Sequence, residues 1–287
     1  MTTQPSFASI QYRHYRILSE LEKIESNVEF KKILHKFAEH EKNDFEFWKE
    51  FDDKKEFNLN PITIMAVKLM RKVLGLTFVV KYLENEEKNL LKQYKEFATK
   101  IKNQQQKAKI KQAIEHEIQH EQELISQIKE ERVEFISSII LGINDGLIEL
   151  TGALVGFSLA LQNNILIALT GIITGIAASL SMASSAYMQA KYEPGKNAIK
   201  AAIYTGSAYI IVVALLVIPF IITTTLHGAL SLLGLSVATI IIAISYYTSI
   251  LFERPFGKQI SQMAIFSIGT AVITFIIGLI LRQWIQI

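Results

Sequence analysis

Two patterns of apolar and polar positions divide the chain. Through residue 134, apolar side chains recur at intervals of three and four between charged ones, which predicts amphipathic helices. Four are predicted: about 8–26, 28–51, 61–98 and 104–130. Ser26 and Asn27 are cap candidates for the second, and Asn60 followed by Pro61 is a good cap and first-turn pair for the third. Asp52 to Asn60 reads as a loop. From residue 136 the pattern changes to long apolar runs. Five of them, about 136–161, 165–190, 202–226, 228–251 and 263–283, reach the roughly 20 residues a helix needs to cross a hydrocarbon core. The expected fold is all-α: residues 1–132 a four-helix bundle, residues 133–287 a five-helix transmembrane domain.

Charge sharpens this division. Residues 135–287 hold only four acids, Asp145, Glu149, Glu193 and Glu253, and six Lys or Arg. That is too little charge for a water-soluble domain, so a single soluble enzyme is excluded. The absence of Cys excludes disulfide frameworks, zinc ribbons, iron–sulfur clusters and thiol catalysis. No basic arm or nucleic-acid motif is present, so no nucleic-acid partner is expected. The first residues lack an apolar signal-type core, which predicts a cytosolic N-terminal domain. With that orientation the inner loops carry Lys191, Lys196, Lys200, Arg254 and Lys258, against Arg282 outside, in agreement with the positive-inside rule. Five spans put the C-terminus on the opposite side of the cell membrane.

The first span is unusual. It places Asn144, Asp145 and Glu149 at hydrocarbon depth, where an ionised carboxylate costs several kcal/mol and marks a bundle interior or a pathway. Asp145 and Glu149 are four apart and share a helix face. Gly142, Gly146, Gly152 and Gly156 allow close helix approach. The second span carries Ser179, Ser181, Met182, Ser184, Ser185 and Met188. Hydroxyls and thioethers can serve as weak ligands for a transition metal; they also pack tightly between helices, and for the methionines the two readings are balanced.

The acids of the N-terminal half also form a pattern. Glu20 shares a face with Ile17, Leu21 and Ile24 on the first helix. The second offers Glu41 and Asp44, the third Glu84 and Glu87, the fourth Glu117 and His120. A spacing of three puts each pair one turn apart on one face. Such pairs pointing into a four-helix bundle are the arrangement that holds two iron or manganese ions. A chain with this many acids also produces such spacings by chance, and the second reading is a set of solvated surface pairs.

The segments AEHEKNDFEFW, GLTFVVKYLENEE and IEHEIQHE resemble the ferritin-like domain of rubrerythrin-type proteins. The segments ILGINDGLIELTGALVGFSLALQNN and GIAASLSMASSAYMQAK resemble the vacuolar iron transporter family. Joined in this order they resemble the membrane-bound ferritin-like proteins. The resemblance implies a homodimeric exporter of ferrous iron or manganese from the cytosol, exchanging metal for protons across the lipid bilayer. It implies di-iron ligands at Glu20, Glu41, Glu84, Glu87, Glu117 and His120, and transport ligands at Asp145 and Met182. Asp44 stands where that pattern has a His, and Ala186 where transporter members often have a Glu, whose part Glu149 could take. A membrane-anchored di-iron ferroxidase or peroxide-consuming oxidase is the alternative reading.

Overall fold

A computed structural model describes residues 7–51, 57–100 and 131–285, with Lys107, Ala108, Ile110, Lys111 and Ile128. The chain divides into two compact units, Met1–Glu130 and Glu131–Ile287. The described residues are helical or lie in short connections.

In the first unit, α1 is Phe7–Ile24, α2 Val28–Lys49, α3 Pro61–Leu74 and α4 Leu76–Lys100. Asn27 caps α2, its side chain accepting from the backbone N–H groups of Glu29 and Phe30; Asn60 caps α3 ahead of Pro61 in the same way. The helix expected over 61–98 is broken. Gly75 lies between α3 and α4 with φ +100°, a conformation that a residue with a Cβ rarely adopts. Contacts to α1 explain why. His14 meets Glu87 of α4, while Glu20, six residues on, meets Lys68 of α3. In one unbroken helix, residues 68 and 87 would lie about 28 Å apart, against about 9 Å between residues 14 and 20. The chain must therefore turn between them. Of the helix expected over 104–130, Lys107, Ala108, Ile110 and Lys111 are helical; most of the rest, with Glu117 and His120, lies outside the described residues.

Two apolar clusters hold α1, α2 and α4 together. One gathers Ile17, Leu18 and Leu21 with Leu34, Phe37, Ala38, Val80 and Leu83. The other gathers Ala8, Phe45, Trp48, Leu90 and Tyr94, with Trp48 stacked on Tyr94 at 4.2 Å between ring centroids. Along each helix the two clusters are separated by a few buried polar positions: Gln11 and His14, Glu41, and Glu84 and Glu87. These three sets lie at matching levels, so they form one polar layer between two apolar ones.

In the second unit a short α5, Glu131–Glu134, precedes α6 (Ile136–Leu161), α7 (Asn164–Lys191), α8 (Ala198–Ile222), α9 (Leu226–Leu251) and α10 (Phe256–Ile285). All five long helices are long and apolar enough to cross a membrane. Connections are short and capped. Gln162 takes the left-handed conformation that ends α6, Asn163 caps α7, and the Asn164 side chain ties that turn to the Thr223 carbonyl at the end of α8 (2.8 Å). The core centres on α8: Tyr209, Val212, Val213, Leu216 and Phe220 pack against Leu147, Leu150 and Leu154 of α6 and Ile167 of α7.

Candidate functional sites in the two units

The buried polar layer of the first unit converges on His14. On α1 it shares a stripe with Gln11, Ile17, Leu18 and Leu21, all buried. Its Nδ1 lies 2.7 Å from Glu87 Oε1 and 3.9 Å from Glu41 Oε2, and its Nε2 lies 3.2 Å from Glu86 Oε2. One ligand atom each from His14, Glu41 and Glu87 fall within 4.8 Å of one another, and all three side chains are buried. Arg13 pairs with Glu86, and Lys88 with Glu84 at 2.9 Å. Burial by itself would push the His14 pKa down, but hydrogen bonds to Glu86 and Glu87 outweigh it, helped by the Glu87 charge, and the net shift is upward. The pocket thus favours positive charge at its centre. One imidazole and two carboxylates converging from three helices are also a donor set suited to iron, manganese or zinc.

Glu41 and Glu87 are therefore in this cluster, and Glu84, one turn before Glu87 on α4, is buried and paired with Lys88. Glu20 is not. Six residues at 100° each carry it about 120° around α1 from His14. There it takes hydrogen bonds from Lys23 (2.7 Å) and Lys68 (2.9 Å), which hold its pKa down at about 2. Asp44 is partly buried and lies 3.2 Å from His40 on its own helix. His14 fills the helix-one position for which Glu20 was expected. The local signal for His14 is its spacing of three, four and seven from Ile17, Leu18 and Leu21, whereas Glu20 is adjacent to Leu21 but lies off that stripe.

In the second unit, Asp145 and Glu149 lie one turn apart on α6. The Tyr209 hydroxyl of α8 donates to Glu149 Oε2 at 2.8 Å, and Tyr209 is itself fully buried. Nothing local in the sequence marks Tyr209 as the partner of an acid 60 residues away. Small residues create the close approach that brings it in. A Cβ on Gly142 would stand 2.2 Å from the Thr205 carbonyl oxygen, and one on Gly146 would stand 3.3 Å from the Tyr209 ring. Gly156, expected to serve the same purpose, has nothing within 4 Å of where its Cβ would be. Asn144 Oδ1 is buried and accepts no hydrogen bond among the described residues. Met182 of α7 is partly buried against the core, and Ala186 is buried on the same helix; Ser181, Ser184, Ser185 and Met188 are exposed.

The match to a known family falls on these two helices. Residues 136–195 match the model of the VIT family (vacuolar iron transporter). No curated protein and no solved structure matches the chain. The matched segment holds Asn144, Asp145, Glu149 and Met182, and the five apolar helices continue beyond it to residue 285. Together they support a multi-pass membrane protein that transports a metal ion.

Proposed function

We propose that this protein exports ferrous iron, or manganese, from the cytosol across the cell membrane in exchange for protons. The observation that carries this reading is the pair Asp145 and Glu149, one turn apart within a membrane span of a VIT domain, with Glu149 held by Tyr209. A pure anchor needs no such acids, since each is costly in hydrocarbon. Deprotonated, the pair offers hard oxygen ligands to a divalent ion; protonation from the far side weakens both and releases it. Glu149 is exposed on the single chain, which favours a second copy covering that face in a homodimer.

We read the first unit as a ferritin-like di-metal bundle. His14, Glu41 and Glu87 would hold metal there, with Glu84 beside them and the fourth-helix pair Glu117 and His120 as further candidates. Resident iron would supply a centre at which two ferrous ions give their electrons to one peroxide, or four to one dioxygen. Carboxylates and an imidazole buried together fit such a group, because unneutralised acids are otherwise expensive to bury. This cluster also favours the second reading, a membrane-anchored di-iron oxidase.

Flux in proteoliposomes separates the two. Ferrous and manganous transport under an imposed pH gradient, beside an Asp145→Ala control, should require both the gradient and Asp145. Absent flux, with metal binding and oxygen consumption intact, would sink the exporter reading in favour of the oxidase.

A further inference from the structure

Helix α3 buries little of itself. Val67 is its one fully buried side chain among the described residues, while Ile62, Met65, Leu69 and Val73 are 67, 68, 61 and 61% exposed. At 100° per residue these four fall within an arc of about 80°, a continuous apolar stripe on the side away from Val67. Lys72 and Lys68 flank one edge of the stripe, Arg71 lies beyond them on the Val67 side, and the helix carries no acid. Lys68 and Arg71 are steadied by Glu20 and Glu25 of α1; Lys72 is exposed. Between α1 and α3 a shallow groove of about 530 Å³ is lined by Ile24, Met65 and Leu69 with Lys68, Lys72 and the Arg71–Glu25 pair.

We propose that this face of α3 lies on the bilayer, with its apolar stripe in the headgroup region and Lys68 and Lys72 against anionic lipid. At 14 residues, about 21 Å long, and with three cations, α3 is unsuited to spanning a membrane. An exposed apolar stripe with a basic edge is instead the composition of a helix lying in the interface plane. The charge complements anionic headgroups, and a bilayer is always within reach. Ile128 belongs to the same apolar cluster as Val67 and precedes the first apolar span at Ile136 by eight residues, a covalent reach of about 30 Å at most. A water-soluble surface would leave four large apolar side chains in solvent for no return.

The chain has no Cys, so an introduced one is unique. Met65→Cys and, as a control on another exposed surface, Glu39→Cys are each labelled with an environment-sensitive fluorophore in the full-length protein. Both are reconstituted in nanodiscs of phosphatidylcholine, with or without phosphatidylglycerol, containing doxyl-labelled lipid. The expected result is doxyl quenching several-fold stronger at position 65 than at 39, and stronger with phosphatidylglycerol. Lys72→Gln should weaken docking about fivefold, the effect of one cation near an anionic surface. Leu69→Glu should abolish the difference between the two positions. Quenching at 65 no greater than at 39 overturns the proposal, whether the probe is bathed in water or shielded by protein, including a second copy. Indifference to phosphatidylglycerol overturns it as well.

Discussion

Tyr209 donates its phenolic hydrogen to Glu149 at 2.8 Å, and its ring lies against α6 where Gly146 has no side chain. The hydroxyl is the one part of this buried side chain that reaches an acid of the first span. Tyr209→Phe keeps the ring and removes that bond. Metal flux in proteoliposomes should fall about tenfold, the scale of one hydrogen bond to a charged group. Thermal stability should change little, whereas Tyr209→Ala should lower it by opening a cavity. Unchanged flux in Tyr209→Phe would remove Tyr209 from the pathway.

The α6–α8 contact offers a steric test. A Cβ at residue 142 would meet the Thr205 backbone oxygen at 2.2 Å, and backbone cannot swing aside as a side chain can. Gly142→Ala should cost about 1–3 kcal/mol and lower the melting temperature in detergent. Gly156→Ala meets open space and should shift stability by less than about 1 kcal/mol. Equal melting temperatures for the two variants would contradict the close crossing at Gly142.

The two candidates on α1 separate by metal content. If the bundle holds metal at His14, Glu41 and Glu87, His14→Ala should lower the metal bound per chain, measured by elemental analysis after equilibration with manganous ion. Glu20→Gln should leave it unchanged and cost under about 1 kcal/mol, because it removes only partly exposed ion pairs. Loss of metal in Glu20→Gln alone would restore the expectation drawn from the sequence.

Acid stability depends in part on Glu25. Burial pushes its pKa up, but the Asn27 backbone N–H donating to Oε1 at 3.0 Å and the Arg71 guanidinium donating to Oε2 from Nε at 3.0 Å and Nη2 at 2.7 Å hold it below its ordinary 4.5. A folded value below the unfolded one means stability that is fully present above about pH 4.5 and is lost as pH falls through the folded value. Arg71→Gln should therefore destabilise the first unit at neutral pH and make that difference shrink on acidification below 4.5. Unfolding followed by Trp48 fluorescence across that window checks it, and a difference constant with pH would exclude the linkage.

Helix positions, two of the caps and the five spans could be read from the sequence because each rests on neighbours within a few residues. Asn27 and Asn60 cap through N–H groups two or three positions ahead, and hydropathy over about 20 residues is a local sum. The pairing of Asp145 with Glu149 is likewise one turn of a single helix. Tertiary structure alone decided the break at Gly75, the meeting of His14 with Glu41 and Glu87, and the choice of Tyr209 as the partner of Glu149. Each of these depends on which face of one helix meets which level of another. That register is set by packing between segments tens of residues apart, so no periodicity within either segment carries it.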